Sequence, residues 1–147
     1  MKKLTVFYNP DDSRARALRG FLARHAARLE VEVFPIDAGS VRMCFPELKG
    51  APSGAALVTL SDTGILEHGE ASLRTVLWAL EGGCGRWHRF GKSNTNAGDF
   101  ERAVDLLLSG ACRIDDDPAV FFPAKENQQH RPVRVIRSRA RVVSGLR

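Results

Sequence analysis

The apolar positions of this chain change their spacing from segment to segment, and the changes delimit its elements. Leu4-Thr5-Val6-Phe7-Tyr8 is β-branched and aromatic and stops at Asn9-Pro10, which predicts a buried strand closed by a turn. Ala15, Leu18, Phe21 or Leu22, Ala26 and Leu29 then recur at helical spacing, with Arg14, Arg16, Arg19, Arg24 and Arg28 largely on the other side. The pattern predicts a helix over residues 13–29, capped by Asp12 or Ser13, whose arginines serve solubility. Glu30-Val31-Glu32-Val33-Phe34 alternates wet and dry until Pro35, as a second strand does when it returns beside the first in a βαβ unit.

Residues 40–48 read as a short helix interrupted at Pro46, and residues 50–54 as a loop. Ala55-Ala56-Leu57-Val58-Thr59-Leu60 is a dry strand, Ser61-Asp62-Thr63-Gly64 supplies turn residues, and residues 65–69 return as the antiparallel partner. Glu70-Ala71-Ser72 opens a helix with Leu73, Val76, Leu77 and Leu80 on one face, ending at Gly82-Gly83. Residues 84–91 are aromatic and basic and residues 93–97 loop-like. Asp99 can then cap a helix carrying Phe100, Val104, Leu107 and Leu108 as far as Gly110, and Asp115-Asp116-Asp117-Pro118 is a turn cluster. A βαβ unit followed by a hairpin and a helix is the element order of a thioredoxin-like α/β fold. The expected organisation is such a domain over residues 1–90, a helical extension over 91–118, and a basic tail over 119–147.

Composition narrows the class. With 44% hydrophobic and 27% charged residues in 147, the chain has the balance of one soluble globular domain. No apolar run approaches the roughly 18 to 20 residues of a membrane span, and no export signal is visible, so the expected location is the cytoplasm. Three cysteines, Cys44, Cys84 and Cys112, lack the density of a disulfide scaffold and read as free thiols. The net charge of +5 is unevenly placed: residues 1–118 hold 15 basic and 16 acidic side chains, residues 119–147 seven and one. Arg131, Arg134, Arg137, Arg139, Arg141 and Arg147 form either a solvated terminus or a cluster able to meet phosphate or acidic protein. Val133, Val135, Ile136, Val142 and Val143 also permit a strand there.

The segment Val6-Phe7-Tyr8-Asn9-Pro10-Asp11-Asp12-Ser13-Arg14-Ala15, the hairpin Val58-Thr59-Leu60-Ser61-Asp62-Thr63-Gly64, and Gly69-Glu70-Ala71 with Leu77-Trp78-Ala79-Leu80 together resemble the DCC family of putative thiol-disulfide oxidoreductases. The similarity covers residues 3–87. The resemblance implies a Cys-x-x-Cys pair at the start of the first helix, whose thiolate the helix end stabilises and whose second thiol resolves the mixed disulfide. Laid onto this chain, the two cysteines fall at Asp12 and Ala15, and the family's Asp-Gly after the tyrosine becomes Asn9-Pro10. An aspartate there can cap the helix but cannot form the mixed disulfide.

The expectation is therefore a scaffold without the redox chemistry, binding another protein through Tyr8, Asn9, Pro10, Asp11, Asp12, Ser13 and Arg14. Two alternatives stay open: an oxidoreductase using Cys44 or Cys84 as a single thiol, and a nucleic-acid-associated protein using Arg134, Arg137, Arg139 and Arg141. Cys44 between Met43 and Phe45 reads more readily as core packing than as a nucleophile. Cys84 and His88 are a lone pair without further metal ligands, and Gly91-Lys92-Ser93 lacks the spacing of a phosphate-binding loop, so neither a metal nor a cofactor is expected. Trp78 and Trp87 read as core and lid, with a contact patch of Trp87, Arg86 and Arg89 as the alternative.

Overall fold

The structure is a computed structural model and describes residues 1–80 and 98–122. Strands β1 (Lys3–Tyr8), β2 (Glu30–Pro35), β3 (Leu57–Ser61) and β4 (Leu66–His68) form one sheet in the order β2-β1-β3-β4. β1 and β2 are parallel, while β1 with β3 and β3 with β4 are antiparallel. The parallel pair is joined by α1 (Ser13–Arg24), and the antiparallel pair by the turn at Ser61 to Gly64, where Gly64 takes a φ of 91°. The chain is thus a mixed α/β fold.

Each strand divides its residues between two cores, because successive side chains point to opposite faces. Leu4, Val6 and Leu57 face α1, α3 (Gly69–Ala79) and α4 (Asp99–Leu108), meeting Leu18, Leu73, Leu77, Phe100, Val104 and Leu107. Phe7, Val58 and Leu60 face the opposite way, toward Ile36, toward Val41 of α2 (Gly39–Cys44) and toward Leu48 of a 3-10 turn (Pro46–Gly50). Phe7, Phe34 and Phe45 share aromatic contacts on that face. Helices therefore cover both faces, with α1, α3 and α4 on one and the short α2 on the other.

Three expected boundaries move. The first helix stops at Arg24 instead of Leu29: His25 is extended, its ring stacks on Phe21 at 3.9 Å, and Ala27 forms an antiparallel bridge with Leu80. The same bridge ends α3 at Ala79, before Gly82-Gly83, because Leu80 turns extended and the Arg28 amide donates to the Ala79 carbonyl at 3.0 Å. Ala26 and Leu29 continue the helical spacing by coincidence, and Leu29 packs on the core from an extended segment. Asp99 is the first residue of α4, with Gly98 at the cap position. The turn cluster at Asp115 to Pro118 leads into an unexpected helix, α5 (Pro118–Phe121), capped by Asp117, whose side chain accepts from the Ala119 amide at 2.9 Å.

The helices beyond the hairpin are joined to the core. Ala103, Val104, Phe121 and Phe122 are fully buried in the cluster that holds α1 and α3. The Arg102 guanidinium donates to the Phe121 carbonyl. Arg14 reaches across from α1 to Asp105 of α4 with two parallel bonds of 3.0 Å.

Candidate functional site

The residues expected to bind lie where β1 turns into α1, and local hydrogen bonds fix that turn. Asn9 donates its amide to the Ala56 carbonyl at 2.9 Å, its side-chain oxygen accepts from the Asp11 amide at 2.9 Å, and its carbonyl accepts from the Asp12 amide at 3.1 Å. Asp12 is the N-cap of α1: it is extended, and its Oδ1 accepts from the Ala15 amide at 2.9 Å. The cap satisfies one of the backbone donors that the first helical turn leaves open. Ala15 is fully buried.

The seven candidate binding residues do not form one surface. Asn9 and Asp11 face a cleft of about 350 Å³ beyond the carboxyl ends of β1 and β2, with Asp37, Arg42, Lys49 and Ser53 on its other walls. In open α/β sheets, clefts in that position commonly take ligands. Arg14 instead points to Asp105, and this pairing raises its pKa above the ordinary guanidinium value. Tyr8 is half-buried beneath the Arg19 guanidinium, 5.8 Å from its ring centre. Arg42 and Lys49 are cleft residues that sequence reading missed. The signal was present only as two isolated cations flanking Pro46; Arg42 comes from α2 and Lys49 from the turn at Pro46–Gly50, and both line the cleft with Asn9.

The thiols are separated. Cys44 ends α2 and is exposed, which overturns its reading as a core residue: Val41 carries the buried face of α2, and Met43 beside Cys44 is 85% exposed. Cys112 is buried in the cluster on the opposite face of the sheet, and burial pushes its thiol pKa up, with Asp116 adding to the effect. Among the described residues no disulfide links them, and no three His, Cys, Asp or Glu side chains gather as a metal site would require. Cys84, His88, Trp87, Gly91-Lys92-Ser93 and the tail arginines Arg134, Arg137, Arg139 and Arg141 lie outside the described residues.

Other polar contacts were illegible in the sequence. Arg74 and Glu70 pair at 2.8 Å on the buried side of α3, and the guanidinium stands 5.2 Å over Phe122. Burial pulls the Arg74 pKa down while Glu70 and Glu67 draw it back up. Trp78 is half-buried, with Arg28 5.2 Å over its ring and donating to its carbonyl at 2.9 and 2.6 Å. No described helix is long and apolar enough to cross a membrane. No family model matches the chain, and no curated protein or solved structure matches it either.

Proposed function

We propose that this protein is a thioredoxin-like domain of the DCC type that has lost its redox pair and acts by binding another protein at the turn from β1 into α1. The observation that carries the reading is the cap itself: where the family's first thiol would stand, the Asp12 carboxylate already occupies the Ala15 amide at 2.9 Å. A thiolate at a helix start draws its stability and reactivity from those same amides. The thioredoxin-like assignment is supported by the strand order β2-β1-β3-β4, by the single parallel pair, and by α1 and α3 sharing the face opposite α2. The partner surface is the cleft with Asn9 and Asp11 on one side and Arg42 and Lys49 on the other. Free Cys44 and Cys112 fit a reducing compartment such as the cytoplasm.

Turbidimetric insulin reduction tests the reading, comparing the natural chain with Asp12→Cys/Ala15→Cys. We expect the natural chain to be inert and the double variant to be active, because the dyad would regain a helix N-terminus and one-turn spacing. Turnover by the natural chain well above that of free dithiothreitol would sink the proposal.

A second reading, a single-thiol oxidoreductase, is favoured by the exposure of Cys44. Alkylation of Cys44 much faster than a free thiol at neutral pH, together with insulin turnover lost in Cys44→Ser, would establish it instead.

A further inference from the structure

Between Asp12 and Glu30 the sequence holds five arginines and no acidic residue, and the structure sorts those arginines by role. Arg14 is neutralised by Asp105, and Arg28 is engaged with Trp78. Arg16, Arg19 and Arg24 are exposed, and among the described residues none has a carboxylate within ion-pairing distance. Neutral groups hold two of them in place, and the third lies along its own helix. Arg16 donates to the Pro10 carbonyl at 2.5 Å, Arg19 stands over Tyr8, and Arg24 folds back so that its Nη1 lies 3.5 Å from where a Cβ on Gly20 would be.

This arrangement is unfavourable for the isolated helix. Like charges three to five residues apart repel, and Arg16 sits in the first turn, at the positive end of the helix dipole, where the Asp12 cap supplies a carboxylate but the turn itself holds no acidic residue. An acidic residue in place of Arg16 would serve solubility equally well and remove that cost. We propose that this face of α1 docks the sugar-phosphate backbone of a nucleic acid. From Arg16 to Arg24 the exposed arginines span about 12 Å of helix axis at 1.5 Å per residue, over which two to three successive phosphates of one strand, about 6 to 7 Å apart, can pass.

The neighbouring residues select this partner over others. Between the arginines the exposed surface is Ala17 and Ala23 beside Gly20, with no apolar anchor among the described residues to enter a lipid surface or fill a protein pocket. Arg19 covers Tyr8, so among the described residues no aromatic ring on this face is free to stack on a base, and the contact is to the backbone and indifferent to sequence. The inference does not depend on the protein-binding reading, whose test is insulin turnover.

The experiment is a fluorescence-anisotropy titration of a mixed-sequence DNA duplex of about 20 base pairs with the full chain across a salt series. Arg16→Gln/Arg19→Gln/Arg24→Gln should weaken binding at low salt by tenfold or more and make the slope of log K against log salt shallower by about 2 to 3. Arg16→Lys/Arg19→Lys/Arg24→Lys, which keeps the charge, should keep the slope. In the full-length tail variant Arg134→Gln/Arg137→Gln/Arg139→Gln/Arg141→Gln, the share of binding contributed by α1 should remain. Absence of duplex binding at low salt, an unchanged slope in the Gln triple variant, or complete loss in the tail variant would each overturn the proposal. Binding of polyglutamate without binding of duplex would assign the face to an acidic protein instead.

Discussion

Asp12, Asp62 and Cys112 each show how one side chain's surroundings set what it contributes. Replacing Asp12 by Ala removes the α1 cap and should cost about 1 kcal/mol in urea denaturation, and Asn, which still accepts from the Ala15 amide, should recover most of it. Asp62 accepts from the Lys2 and Lys3 amides at 2.8 and 3.2 Å, and these bonds hold its pKa below the ordinary 3.8. Its contribution is therefore complete above that value and lost as the pH falls through the lower folded value. Asp62→Asn should flatten the acid limb of the stability profile, read as Tm against pH. Cys112 runs the other way. Its folded pKa is raised above the ordinary 9.0, so the folded state keeps a proton that the unfolded chain releases, and stability falls as the pH rises past that value. Native alkylation should label Cys44 readily and Cys112 only on unfolding, with mass spectrometry of the quenched peptides as the readout.

At the scale of elements, the outcome depended on whether a single segment contained the information. β1, β2 and the hairpin were legible because strand alternation and turn chemistry are local, and all four strands fall where the apolar pattern put them. The ends of α1 and α3 were not, because one bridge between Ala27 and Leu80 sets both, and the two residues meet only in the folded chain. Arg74 was hidden for a similar reason: on α3 it reads as a solvent-facing charge, yet the helix turns it toward Phe122 and the Glu70 carboxylate. Arg74→Leu strands that carboxylate and should cost about 2 to 3 kcal/mol, between a charged hydrogen bond and a fully buried pair. Arg74→Leu/Glu70→Leu should cost less than the single change, and chemical denaturation of both variants measures the difference.

For the whole molecule, the two-sided sheet makes residues 98–122 part of one cooperative structure. Val104 and Leu107 pack in the same cluster as Leu18 and Leu77. Leu107→Ala should therefore lower global stability by about 2 to 5 kcal/mol. In a Trp87→Phe background, Trp78 fluorescence and far-ultraviolet circular dichroism should report coincident transitions. Two separated transitions would mean that α4 and α5 fold apart from the sheet. Placing the helices on both faces also separates the thiols, with Cys44 on the α2 side and Cys112 in the opposite core.

The sequence by itself determined the order of the strands and of the first four helices, the mixed α/β class and the Asp12 cap, because strand alternation, helical periodicity and capping act over a few neighbouring residues. Tertiary structure alone decided which charges are paired and which are left open. Arg14, Arg16 and Arg19 look alike along the chain, and they differ because Arg14 meets Asp105 from a distant helix while Arg16 and Arg19 fold back on the Pro10 carbonyl and the Tyr8 ring. It also decided that Asn9 and Asp11 share a cleft with Arg42 and Lys49, since parallel pairing of β1 with β2 puts their carboxyl ends, and the loops that leave them, side by side.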